Sequence, residues 1–320
     1  MTRFKSLYTF LLLCSCLLFL CDATAKQAQE NSGDTPLMEA AYNGNNQQMQ
    51  RLVAQGSQVD QRNKYGLTAL FFAAGATRTQ PTPKGSTKAV RFLLEHGATV
   101  NFKSNVNGFN ALMAAVNNRN AGSVSLLLQH GADVNALTAD GRSALTMAAD
   151  GLDADVVRLL LDRGARVNGY ADNFGQTPLL AAVASSPPFA PASHEEAVEI
   201  MQKQGPLFVS AVKIVQMLLT HGAQVNVANH SGQTALTIAI EESNPLLVRI
   251  LLDAKANPNT VDKSQGNASA LILAAQVRLV AIAEMLLKKG ANVQLKDQFG
   301  KSALDYATEY GPKKMIEILR

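Results

Sequence analysis

A glycine followed by a small hydroxyl or amide residue returns along this chain at an ordinary spacing of 33 residues. The glycines are Gly33, Gly66, Gly108, Gly141, Gly175, Gly232, Gly266 and Gly300. Two residues on (three in the seventh copy) stand Thr35, Thr68, Asn110, Ser143, Thr177, Thr234, Ser269 and Ser302. A period of this length is one supersecondary unit, too small to bury its own apolar face. Stability must come from stacking each copy on its neighbours.

Each of those eight residues carries a side-chain oxygen able to accept from an orphan N–H, so each predicts a helix start. Pro36 and Pro178 follow two of them, at the first helical position where proline costs least. Leucine and alanine come next, as in Leu145 and Ala148, which gives a short helix with a small-residue face. A second helix is marked by leucine at a fixed offset: Leu52, Leu93, Leu127, Leu160, Leu218, Leu251, Leu286 and Leu319. It stops at Gly56, Gly97, Gly131, Gly164, Gly222 and Gly290, where glycine adopts a left-handed cap without steric penalty. Lys255 breaks that rule in the sixth copy.

A unit of turn, helix, turn and helix with "TPLMEAA" (35–41), "TPLLAA" (177–182), "GADVN" (131–135) and "GANVQ" (290–294) resembles the ankyrin repeat. The resemblance covers about residues 31 to 320, although the histidine usual after T-P-L is absent. It implies an all-α ankyrin-repeat solenoid of about eight helix-turn-helix repeats with hairpin-like turns. The more polar second helices of copies one (Gln47, Gln48, Gln50, Arg51) and eight (Lys313, Lys314, Glu317) read as capping ends.

Residues 1–25 have a different composition. Arg3 and Lys5 precede the apolar "SLYTFLLLCSCLLFL", and "CDATA" ends in small residues. This is the order of a secretory signal peptide cut after Ala25. The apolar run is about 15 residues, short of the roughly 20 that span a bilayer as a helix. A retained anchor, or a lipoprotein acylated at Cys16, is the alternative. All three cysteines, Cys14, Cys16 and Cys21, lie in this segment, so the remainder can form no disulfide. Residues 26–30 then form a short linker, and the product is expected to be exported, to a periplasm in the first instance, otherwise secreted or lipid-anchored.

Two copies are stretched. The second carries a loop at 77–87, "TRTQPTPKGST". The fifth carries 184–210, where Pro187, Pro188 and Pro191 forbid a continuing helix. Ser193 with Glu196 then caps a new, separate mini-helix. This insertion reads either as tolerated decoration or as an added contact at one edge of the array.

Little points to catalysis. His96, His130 and His221 recur just before the glycine stop, where a ring meets the last helical carbonyls. His194 and His230 have no ligand-like spacing. No phosphate loop, nucleophile elbow or metalloprotease helix is present, and no enzyme, metal or cofactor is expected. The net charge of +4 gives no nucleic-acid footprint. Glu241 and Glu242 read as a solvated helix face. Asn229 in "NHS" and Asn267 in "NAS" match the glycosylation acceptor pattern, read as chance in a bacterial setting.

The resemblance implies binding of another protein, with no nucleic acid, no membrane insertion after cleavage, and a monomeric state. Family practice places the binding face on turn tips and first helices. Carried over copy by copy, it nominates Lys64, Tyr65 and Leu67; Val106, Asn107 and Phe109; Asp140 and Arg142. It continues with Asn173, Phe174 and Gln176; His230, Gln233, Glu241 and Glu242; and Gln298, Phe299 and Lys301. Tyr65, Phe109, Phe174 and Phe299 stand where the fold needs no aromatic, and such side chains often dominate interface energy. A secreted effector acting on a host, an enzyme and a polyanion-binding module are the rival readings.

Overall fold

The computed structural model describes residues 33–75, 86–168, 172–187 and 194–320, with side chains of 194–204 outside the description. The leader, the 77–87 loop up to residue 85, Ser193 and the Glu196 side chain therefore lie outside the description. The chain divides into two compact units, Met1–Ala132 and Asp133–Arg320.

Among the described residues the first unit holds three helix pairs: α1 (Pro36–Tyr42) with α2 (Asn46–Ala54), α3 (Ala69–Ala74) with α4 (Thr87–Glu95), and α5 (Ala111–Asn117) with α6 (Ala121–Gln129). The second holds five. They are α7 (Ala144–Asp150) with α8 (Ala154–Asp162), α9 (Pro178–Ala184) with α10 (His194–Thr220), and α11 (Ala235–Glu241) with α12 (Pro245–Asp253). The last two are α13 (Ala270–Gln276) with α14 (Val280–Lys288), and α15 (Ala303–Tyr310) with α16 (Lys313–Leu319). The architecture is the all-α solenoid expected. Among the described residues there is one two-stranded sheet, β1 (Val261–Asp262) with β2 (Ala268–Ser269), which is antiparallel and belongs to a turn.

All eight expected caps form. Side-chain oxygens accept from the backbone N–H three residues on, at 2.9 Å from Asn110 to Met113 and at 3.1 to 3.4 Å in the other copies. First helices bury paired alanines, such as Ala114–Ala115 and Ala148–Ala149, at no more than 3% exposure. A methyl side chain lets the helix of the next copy approach closely. The offset leucines of the second helices are buried from Leu93 onward, whereas Leu52 is half-buried and Met49 takes the buried place in its helix.

Second helices are capped too, by Asn45, Ser86, Asn120, Asp153 and Asn244. Just before four of these caps, and before Leu279, the chain must enter the left-handed region to reverse direction. Only Gly44 does so as glycine. Arg119, Leu152, Ser243 and Arg278 take φ of 52°, 51°, 53° and 63°, at a cost of roughly 1–2 kcal/mol each. Each turn recovers stability through a bond from the following residue back into the first helix, as from Asn120 N–H to Ala115 O at 3.0 Å.

The six predicted glycine stops all have positive φ, from 81° at Gly164 to 90° at Gly56, and Lys255 adopts the same conformation at 67°. Next to them sits an amide clasp. In the second unit Asn168 donates to Gly222 O at 2.8 Å and accepts from Gln224 N–H at 2.8 Å. Asn226 does the same with Lys255 O and Asn257 N–H, and Asn259 with Gly290 O and Asn292 N–H. One side chain thus satisfies a donor and an acceptor of the next copy.

The fifth copy departs from expectation. α9 stops at Ala184, before the prolines. The expected mini-helix and the second helix are one 27-residue element, α10, which continues through Pro206. A proline inside a helix removes one N–H donor. Here the stripe Phe208, Ala211, Ile214, Val215 and Leu218 is buried and holds the helix beyond it.

Candidate partner-binding surface

Between one second helix and the next first helix the chain makes a narrow finger, closed by single antiparallel bridges such as Lys103 with Asn110 and Lys296 with Ser302. A short polar side chain organises each tip. Asn63 Oδ1 accepts from the N–H groups of Tyr65 and Leu67, both at 2.9 Å. Asp172 does so for Phe174 and Gln176, and Asp297 for Phe299 and Lys301, all at 2.9 Å. This side-chain turn places the residue two positions on at the outermost point of the finger.

That residue is apolar in four copies. Tyr65 is 37% exposed, Val106 69%, Phe174 63% and Phe299 72%. Phe109 behaves differently: it sits directly before its cap and is half-buried, so it does not belong with the three exposed rings. Lys64, Asn107, Asn173, His230 and Gln298 are exposed, and Leu67, Asp140, Arg142, Gln176, Gln233, Glu241, Glu242 and Lys301 are half-buried.

Neighbouring fingers are joined through their backbones. In the first unit Asn105 N–H donates to Tyr65 O at 2.9 Å. In the second, Asn173 N–H donates to Asp140 O, His230 N–H to Phe174 O, and Gln298 N–H to Gly266 O, at 2.9 to 3.0 Å. The His230 ring is also held, with Nδ1 2.9 Å from Asn173 O. Gly175 is required here: a Cβ on it would lie 2.7 Å from His230 N. His96, His130 and His221 act as expected, each with Nδ1 2.7 to 2.9 Å from the carbonyl four residues earlier.

Several nominated polar residues are engaged within the chain. In three copies of the second unit the residue before the cap reaches the far end of its first helix, eight positions on. Arg142 pairs with Asp150 at 3.0 Å, Gln233 Nε2 donates to Glu241 Oε2 at 2.9 Å, and Lys301 pairs with Glu309 at 2.5 Å. Sequence reasoning missed these ties, although the spacing of eight and the complementary residue types were there to find.

Glu241 and Glu242 are not a solvated face. Burial, reinforced by the Asp262 carboxylate and then by Glu242, pushes Glu241 up to about 7, and burial also raises Glu242. Asp262 is fully buried, with Oδ1 accepting from Ser264 N–H at 2.8 Å and from its hydroxyl at 2.6 Å. Its Oδ2, like Glu241 Oε1, has no hydrogen-bond partner among the described residues.

Among the described residues no group of three His, Cys, Asp or Glu side chains could hold a metal ion. No described helix is long and apolar enough to cross a membrane.

Comparison with known proteins agrees with this geometry. A family model described as ankyrin repeats (3 copies) matches residues 8–80, 82–138, 131–206 and 199–262. A second, described as ankyrin repeats (many copies), matches 251–307. The chain is similar to the human B-cell lymphoma 3 protein, 31% identical over 159 residues, which are 43% of this chain and 34% of that protein. The mouse homolog is 33% identical over 165 residues, 46% of this chain and 37% of that protein. Human transient receptor potential cation channel subfamily A member 1 is 25% identical over 148 residues, 46% of this chain and 11% of the channel. The matched stretch spans only about a third of the B-cell lymphoma 3 relatives.

Proposed function

The chain belongs to the ankyrin-repeat family, and on that premise we propose that it is an exported, monomeric and non-enzymatic scaffold that binds another protein. The contact surface is the finger tips with the adjoining first-helix face. The observation that carries this reading is the exposure of Tyr65, Phe174 and Phe299 at finger tips. Their position follows from the tip hydrogen bonds and contributes little to the core. A ring exposed at a rigid, backbone-linked tip loses little further freedom on binding.

Phe174→Ala tests the reading directly. Partner binding should weaken by about 1–3 kcal/mol, while the thermal midpoint stays within a degree or two of wild type. Intact binding with a lowered midpoint would assign the ring to the fold and sink the proposal.

Export rests on the basic, apolar and small-residue order of residues 1–25. The exported product should begin at Lys26 on N-terminal sequencing, and a retained Met1 or an acylated Cys16 would overturn that.

A further inference from the structure

Two successive fingers of the first unit carry a cation at the same register. Arg62 precedes the tip-organising Asn63, and Lys103 precedes Ser104 at the equivalent place. Lys64 lies one residue beyond Asn63. The equivalent of Arg62 in the second unit is Leu137, Ala228, Val261 or Lys296 in the described fingers, so a run of cations at this place is particular to the first unit.

No ion pair joins Arg62, Lys64 or Lys103 to an acidic group among the described residues. The acids nearest these fingers are engaged in hydrogen bonds: Asp60 accepts from Thr99 N–H at 2.9 Å and from its hydroxyl at 2.5 Å, and Asp34 Oδ1 accepts from Asn63 Nδ2 at 2.6 Å. The helices α3 and α5 carry no charged residue, and Glu39 on α1 is the one carboxylate on the first helices of this unit.

Aromatic faces hold two of the cations in place. The Arg62 guanidinium lies over the Phe102 ring at 4.5 Å, and Lys64 Nζ is 5.0 Å from the Tyr65 ring centre. Such stacking limits side-chain freedom while leaving charge available to a partner. Beside them, Val106 is 69% exposed and Tyr65 37%. Asn105 N–H, bonded to Tyr65 O, keeps the two tips together.

We propose that these two fingers recognise an acidic protein segment bearing apolar side chains. Its carboxylates would meet Arg62, Lys64 and Lys103, and its apolar groups would meet Tyr65 and Val106. The inference deepens the scaffold reading above and rests on it.

Fluorescence anisotropy on the chain from Lys26 onward provides the test. The probes are a labelled peptide of alternating Glu with Phe or Leu, and the same peptide with Gln for each Glu. The Glu peptide should bind at least about tenfold tighter at low salt, with the advantage shrinking as salt rises. The combined variant Arg62→Gln, Lys64→Gln and Lys103→Gln should remove that preference and keep its circular-dichroism melt. Lys263→Gln with Lys296→Gln in the second unit should leave it unchanged.

Equal binding of both peptides, weakened by Tyr65→Ala, would overturn the acidic specificity while the scaffold reading stands. Binding of neither peptide also overturns it, and Phe174→Ala with the native partner then decides the scaffold reading separately. A single-stranded oligonucleotide that binds tighter than the Glu peptide, and is lost in the combined variant, would make the surface a polyanion site instead.

Discussion

Finger for finger, the two units use polar residues in opposite ways. In the second unit Arg142, Gln233 and Lys301 reach along their own first helices to Asp150, Glu241 and Glu309. In the first unit Phe109 and Leu67 hold the corresponding place in two copies and Asp34, bonded to Asn63 Nδ2, holds it in the other, and Arg62 and Lys64 lie against aromatic faces. One backbone plan therefore supports two surfaces, one largely self-neutralised and one with charge left over. The scaffold dictates where a side chain points. The residue eight positions along decides whether that side chain is available to a partner.

The comparison concerns surfaces, so it should vanish in the core. Leu127→Ala in the first unit and Leu160→Ala in the second both remove a fully buried side chain. Each should cost about 2–5 kcal/mol in urea denaturation. A cost well below that in one unit only would show that the units also differ in packing.

Protonation should separate the units more sharply. Glu241 rises from an ordinary 4.5 to about 7 in the folded chain, so the folded state binds its proton more tightly than the unfolded state does. Its stabilising contribution is whole below about 4.5, declines as pH climbs, and is gone above about 7. Allowing for partial solvent screening, the loss is about 1–3 kcal/mol. Denaturation at the two ends of that window measures it. Glu241→Gln should flatten the slope, and an unchanged slope in that variant would assign the effect to other groups.

Breaking one tie of the second unit should matter less. Arg142→Gln loses a pair whose side chains are 33% and 42% exposed, worth no more than about 1 kcal/mol. Asp150 keeps Ser185 Oγ, 2.8 Å away, as a partner, so binding of the Glu peptide to the first unit should not change, and a change there would blur the contrast between the units.

The smallest effect is a gain. Lys255 occupies a stop where six other copies have glycine, at φ 67°. Lys255→Gly should raise stability by about 0.5 kcal/mol, relief of left-handed strain being partly offset by a looser unfolded chain. A fall in the denaturation midpoint would mean that the lysine stem packs usefully.

The features legible in the sequence were those set by one residue acting on its own backbone. Thr35 or Ser302 caps a helix wherever its neighbours are, and Gly97 or Gly290 tolerates the left-handed region for the same reason. Less legible was whatever needs two distant residues. Asn168 reads as an ordinary turn residue until Gly222, 54 positions on, arrives beside it. Glu241 reads as solvated until the β1–β2 finger covers it. Leu152 and Arg119 gave no hint of positive φ, because there the turn geometry overrides residue preference. In α10 the mini-helix read as separate from the second helix, and burial of Phe208 and Ala211 keeps the two continuous through Pro206.

The amide clasp bears on how such a chain can grow. Residues Gly222 to Asn226 hold both halves of a joint: Gly222 O receives the asparagine of the preceding copy, and Asn226 grips the following one. Lys255 to Asn259 repeat the arrangement. Because plug and socket travel together in one pentapeptide, tandem duplication of a gene segment encoding one copy would insert a repeat already fitted to both neighbours. Lengthening by recombination needs no compensating change at the seam.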